Sequence, residues 1–332
     1  MSESTAANPA APHSRLTVRA VLRTDVGKVR SENQDFGMVS TPAEVREGRL
    51  MVVADGMGGH RGGATASRMA TETVKEQFQS TAMADPTEVL RKALSTANAR
   101  IFAEAQANPE LRGMGTTTSA LVVRGGEGWF GHVGDSRIYL VRGTEIRQLT
   151  EDHSLVASMV REGLLTSAEA ENHPRRNVLQ RSMGVSEDVE IDVQGPLELQ
   201  EGDTFIVCSD GLHGVVKEDE IRQVAALPID DAADELVRRA LGKGAPDNVT
   251  VIVARIEKEN AFDPDATVVE KDDSALFEDT VVERDQAQGS APKSFSIMKW
   301  TLIFVLVLAA AGGGIFWAQQ QGFARQTQST GR

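Results

Sequence analysis

Along most of the chain, short apolar runs rich in Val and Ile alternate with longer stretches whose apolar positions recur every three or four residues. The first pattern marks strands and the second amphipathic helices. Strands are predicted over 16–22, 49–54, 116–123, 128–133, 137–142, 203–208 and 249–256. Helices are predicted over 64–79, 86–107, 154–162, 217–226 and 230–241. The last opens on Asp230 and Asp231, whose charge suits the positive end of a helix. Gly125-Gly126 and Arg142-Gly143 are hairpin-turn signals, so 116–149 reads as one antiparallel meander. Two sheets with helices on their outer faces, an α+β arrangement, satisfy this order of elements.

The pattern changes twice toward the C-terminus. Over 257–292, eleven Asp and Glu stand against only Lys258, Lys271 and Arg284 with few apolar residues between them, the composition of a disordered linker. Beyond it, no charge occurs between Lys299 and Arg325. The 19 residues of 300–318 span about 28 Å as a helix, close to the thickness of a bilayer core. Trp300 and Trp317 stand near the two ends, where amphipathic rings favour the membrane interface. A buried helix of a soluble domain is the competing reading, but only fourteen residues follow to build such a domain.

The first residues have neither a basic start nor an apolar core and do not read as a secretory signal. The basic residues flanking the apolar segment are balanced, so orientation is argued from that missing signal and the short tail. The expected organisation is a leader over 1–14, a folded domain over 15–256, an acidic linker over 257–296, one transmembrane helix over 297–318 and a polar tail over 319–332. It places the folded domain on the cytoplasmic face of the cell inner membrane.

The net charge of -13 repels nucleic-acid phosphates, so no polynucleotide partner is expected. Any phosphate site on such a chain needs local help from cations or a placed arginine. The single cysteine, Cys208, excludes an internal disulfide and a multi-cysteine zinc site. It sits in a strand pattern at an inward position.

Aspartates recur at the ends of apolar runs: Asp55 after LMVVA, Asp135 after WFGHVG and Asp210 after FIVCS. Asp247 precedes NVTVIVARI, and Asp35 closes RSENQD. Each alone could simply cap a strand or turn, as Asp commonly does. Five carboxylates gathered at sheet ends repel one another unless cations stand between them, and hard divalent ions take such oxygen ligands.

The segments RSENQD, VVADGMGGHRGGATAS, GTTTSALVV, GHVGDSRIYLV, LTEDHSL, FIVCSDGL and GAPDNVTVIVARI resemble the ordered motif set of bacterial metal-dependent Ser/Thr phosphatases of the 2C type. The resemblance covers about 17–256 and implies a four-layer α-β-β-α sandwich of two antiparallel sheets flanked by helices. It further implies that Asp55 bridges two Mn2+ or Mg2+ ions, that the Gly56 carbonyl and Asp210 and Asp247 bind the first, and that Asp35 holds the second. Asp135 with Asp210 matches the place of a third, looser ion. Arg30 matches the arginine that grips substrate phosphate, a task its planar fork suits. On this reading the ions activate a water for in-line attack at phosphorus. His60 is the candidate proton donor to the leaving alkoxide, with a structural or surface role as the alternative.

Residues 153–184 resemble the family's mobile flap, and Arg161, Arg175, Arg176 and Arg181 there face either substrate or plain solvent. In the linker, DATVVE around Thr267 recurs as DTVVE around Thr280. Threonines in that setting resemble kinase sites read by forkhead-associated domains, with chance similarity in an acidic tract as the alternative. The expected function is phosphoprotein hydrolysis opposing bacterial Ser/Thr kinases. A pseudophosphatase that only binds phosphoproteins is the alternative, disfavoured because a pure binder has no need of the full carboxylate set.

Overall fold

The computed structural model describes residues 16–41, 48–59, 61–80 and 85–258. The expected leader, most of the linker, the transmembrane helix, the tail, Thr267, Thr280 and His60 lie outside the described residues. Among the described residues no helix is long and apolar enough to cross a membrane.

The first part of the chain gives β1 (Leu16–Asp25), β2 (Asp35–Val39), β3 (Gly48–Met57), α1 (Gly62–Ser80) and α2 (Pro86–Ala107). Next come β4 (Gly115–Thr116), β5 (Thr118–Arg124), β6 (Glu127–Val133), β7 (Arg137–Arg142) and β8 (Glu145–Gln148). The flap region carries α3 (Leu155–Arg161) and α4 (Ser167–Glu171). The remainder is β9 (Asp192–Glu198), β10 (Thr204–Cys208), α5 (Asp210–His213), α6 (Glu218–Val224), α7 (Ile229–Gly242) and β11 (Val249–Lys258).

One sheet runs β1-β11-β10-β7-β8; the other runs β2-β3-β5-β6-β9, with β4 beside β3, and every pairing is antiparallel. Their central strands read as unbroken apolar runs because each buries both faces. Along β3, Leu50, Val52 and Ala54 pack under α1 and α2, while Met51 and Val53 point into the layer between the sheets. Along β11, Val249, Val251 and Val253 face α7, while Ile252, Ala254 and Ile256 join that same middle layer. Period-two alternation thus fills three apolar layers and stacks helix, sheet, sheet and helix. Cys208 faces the α5–α7 side and is fully buried.

The expected single meander over 116–149 is corrected. β5 and β6 form a hairpin in one sheet, whereas β7 and β8 form a hairpin in the other. Chain crossing occurs at Gly134, whose φ of 113° and contact with Thr117 exclude a side chain. The crossing, not a turn, places Asp135 between the two sheets' ends. β2 and β9 were not predicted, and β8 was expected only as the far arm of the Arg142-Gly143 hairpin, which the structure has. β2 and β8 are short, and β9 is an edge strand containing Gly195-Pro196, residues that weaken a strand signal and are tolerated at edges. β11 also continues to Lys258, past the expected boundary at 256.

Candidate active site

The functional residues meet where both sheets end on the same side. A cleft of about 330 Å³ is lined by Arg30, Asp55, Gly56, Asp135, Asp210 and Asp247, with Thr117 and Asn248 at its base and Asn177 and Leu179 from the flap. Asp35 does not line it. Register pairs Asp35 with Asp55 across β2 and β3, so it stands just behind the wall, 7% exposed.

Hydrogen bonds fix each carboxylate from behind. The Asp55 peptide is held by its N–H donating to Thr117 Oγ1 at 3.0 Å, while its carbonyl accepts from Thr117 N at 2.9 Å and Thr116 Oγ1 at 2.9 Å. Asp35 Oδ2 accepts from Ser209 Oγ at 2.7 Å, and Ser209 immediately precedes Asp210. His213 Nε2 lies 2.9 Å from the Asp135 carbonyl and joins α5 to the crossing loop. Beside Asp247, the Asn248 side chain receives Gln34 N at 2.9 Å and donates to Val26 O and Glu32 O at 2.9 Å each. That residue staples the loop carrying Arg30 to the start of β11.

Electrostatically the cleft is under tension. Desolvation, followed by repulsion from Asp35, Asp210, Asp135 and Asp247, drives the Asp55 pKa well above the ordinary carboxylate value. Burial raises Asp35 to about 7 despite its hydroxyl donors, and burial with the nearby Asp247 raises Asp210 to about 6. Asp135 is raised too, by burial and then by Asp210. Among the described residues lining this cleft, the guanidinium is that of Arg30, which reaches Asp247 Oδ2 with Nη2 at 2.7 Å, a contact that raises its own pKa.

Two buried oxygens, Asp35 Oδ1 and Asp210 Oδ1, find no hydrogen-bond partner. An unpartnered buried carboxylate oxygen is costly, and a divalent cation is the partner that both it and the crowded negative charge call for. Among the described residues no three carboxylate, imidazole or thiol groups by themselves enclose one ion. The carboxylate oxygens lining the cleft are the donors that hard ions such as Mg2+ and Mn2+ take, with waters completing the shell. Gly56 lines the same cleft; a Cβ there would lie 2.1 Å from Gly63 O, so only glycine lets β3 pass α1 this closely.

Of the residues expected from sequence, Arg30, Asp55, Gly56, Asp135, Asp210 and Asp247 share the cleft, and Asp35 supports it. Among the flap arginines, Arg161 pairs with Glu151 and Arg181 with Asp192 and Glu190, while Arg175 and Arg176 are exposed. The sequence reading missed Thr117, Ser209, His213 and Asn248. Thr117, Ser209 and Asn248 stand inside quoted motifs and His213 directly after one, yet a hydroxyl, imidazole or amide next to a strand end gives no sign that it braces a carboxylate.

A carboxylate-lined, cation-demanding cleft facing an arginine defines a metal-dependent hydrolase acting on phosphate esters. Residues 29–246 match the profile of the protein phosphatase 2C family. The chain is 38% identical over 242 residues to a serine/threonine phosphatase Stp of Listeria monocytogenes, covering 71% of this chain and 95% of that one. It is 39% identical over 246 residues to the protein phosphatase PhpP of Streptococcus pneumoniae, covering 72% and 98%. The solved catalytic domain of the serine/threonine phosphatase PstP in complex with 2 manganese ions is similar with a TM-score of 0.65 and 33% identity, over 73% of this chain and 100% of that one. The chain belongs to the protein phosphatase 2C family. It is a metal-dependent protein Ser/Thr phosphatase.

Proposed function

We propose that Asp35, Asp55, Asp210, Asp247 and the Gly56 carbonyl hold two Mn2+ or Mg2+ ions, that Asp135 with Asp210 offers a third place, and that Arg30 binds the substrate phosphate. The observation that carries this reading is the pair of unpartnered carboxylate oxygens, one on Asp210 in the cleft and one on Asp35 just behind its wall, on aspartates that resist ionisation. Divalent ions there supply a water of lowered pKa and neutralise charge on the phosphoryl oxygens. The manganese bound by the PstP domain favours that ion.

The chain's own residues bind and orient. Arg30 is half-exposed on the cleft rim, so its guanidinium can leave Asp247 for a phosphate and donate to two oxygens at once. Asn177 and Leu179 face it from the flap and confine the peptide that carries the phosphate. Cys208 takes no part: burial pushes its thiol up to about 12, so it is no nucleophile at neutral pH. His60 is the proposed proton donor to the leaving serine or threonine oxygen.

Substrates on this reading are phosphoproteins made by Ser/Thr kinases, met at a membrane to which 297–318 tethers the enzyme. Thr267 and Thr280, once phosphorylated, would dock a forkhead-associated-domain protein. Arg30→Ala tests the phosphate role: KM for a phosphothreonine peptide should rise roughly tenfold or more and competitive inhibition by inorganic phosphate should weaken in parallel. An unchanged inhibition constant would remove Arg30 from the phosphate site.

A further inference from the structure

We propose that His153 is a positioning residue that hangs the flap's cleft-facing segment from the loop carrying Asp135, and so sets the cleft width that a phosphopeptide meets. The inference rests on the phosphatase reading and adds to it a residue that touches neither substrate nor ion.

His153 is 3% exposed and clasps one glycine twice. Its backbone N–H donates to Gly134 O at 2.7 Å, and Gly134 N donates to its ring Nδ1 at 3.1 Å. Because Nδ1 accepts, the ring proton sits on Nε2, which points at Asp192 Oδ2 at 3.2 Å. On its other side the main chain carries the flap. The His153 carbonyl accepts from Gln180 N at 2.8 Å, Leu155 N donates to Val178 O at 2.8 Å, and Ser154 bridges Leu179. Leu179 and Asn177 are the flap residues that line the cleft. The ring of contacts closes through Arg181, whose Nη1 donates to Asp192 Oδ1 at 3.0 Å, and Asp192 lies opposite His132 in the β6–β9 pairing.

His153 thus joins the sheet crossing to the start of the strand-like pairing that holds the flap wall, while Met183 opposite Thr116 and Arg181 on Asp192 tie the far end of the flap to the sheets. The Asp135 loop has separate anchors: His213 on the Asp135 carbonyl and the two-pronged Arg137–Asp152 pair at 2.9 and 2.7 Å. Loosening His153 releases the flap and leaves the carboxylates in place. A small aryl phosphate needs only the carboxylates and Arg30, whereas a peptide also needs the opposite wall. Misplacement of that wall by a fraction of an ångström is enough to cost binding.

Two substitutions divide the ring's roles. In His153→Asn the amide oxygen stands near the Nδ1 position and can accept from Gly134; in His153→Gln the amide nitrogen reaches only toward Asp192. The Gln variant should raise KM for a phosphothreonine peptide about tenfold while kcat on p-nitrophenyl phosphate stays within about twofold of wild type. The Asn variant should keep the peptide KM within about threefold. Amide hydrogen exchange at residues 153–155 and 178–181 should quicken in the Gln variant alone, with α1 and α2 unchanged. Equal impairment of both variants on both substrates, or a Gln variant with wild-type peptide KM, would overturn the proposal. If neither variant folds, amide exchange of the wild-type protein must show residues 153–155 and 178–181 opening together with one protection, and independent opening of the two segments overturns the proposal as well. Absence of turnover by the wild-type protein on either substrate would instead sink the phosphatase reading itself.

Discussion

At the scale of single residues, the site is a set of carboxylates folded against their own electrostatics. Asp35 and Asp210 rise from an ordinary 3.8 to about 7 and about 6, so between those values the folded chain binds more protons than the unfolded one. These carboxylates make the metal-free fold less stable as pH rises from about 4 to 7, whereas buried His132 and His213, lowered to about 3, add stability over the same rise. The gain in stability on adding Mn2+ isolates the carboxylates, since the histidines are present with and without metal. Thermal melts with Mn2+ and with chelator at pH 5 and pH 7.5 check the sign, with a larger gain from Mn2+ expected at pH 7.5. Mn2+ should also expel protons at pH 6, visible as a binding heat that depends on the buffer's ionisation enthalpy. Proton-free binding and a gain from Mn2+ that does not change with pH would contradict the account. The aspartates were legible from sequence because an Asp after a strand is a strong chemical signal. Their braces were not, since Thr117, Ser209 and Asn248 act through tertiary hydrogen bonds that no local pattern encodes.

Elements decide whether those residues meet. Long central strands and α1, α2 and α7 were read correctly because both-face burial and helical periodicity persist over many residues. The sheet switch after β6 was not, because Gly134-Asp135-Ser136 has the composition of a turn and only tertiary packing sends β7 to β10. Two close approaches between elements are testable. A Cβ at Gly211 would lie 1.9 Å from Asn248 O, where α5 passes the start of β11. Gly211→Ala should separate Asp210 from Asp247 and weaken Mn2+ binding roughly tenfold or more in a calorimetric titration, in keeping with the cost of disturbing metal-ligand supports. Asn248→Ala removes all three contacts that staple the Arg30 loop and should cost about 2–4 kcal/mol in denaturant unfolding. A loss under about 0.5 kcal/mol would mean the loop is held elsewhere.

Across the whole molecule, the four stacked layers exist to bring two sheet ends to one cleft. The middle layer, built on Phe205, Ile138, Leu121 and Ile252, fixes the spacing between the sheets and hence between Asp55 on one and Asp210 and Asp247 on the other. Phe205→Ala should cost about 3–5 kcal/mol and lower Mn2+ affinity along with stability, since the same spacing serves both. The family resemblance and the layered fold were readable in the ordered motifs, whereas the proposed membrane tether rests on the composition of 297–318 and is tested by fractionation. Removing everything after Met298 should free the protein from the membrane fraction. The most direct measurement is hydrolysis of a phosphothreonine peptide by the purified protein with Mn2+ or with chelator, beside Asp210→Ala. The account predicts turnover that requires metal and falls at least about a thousandfold in the variant. Turnover that survives chelation, or an Asp210→Ala protein as active as wild type, would contradict it.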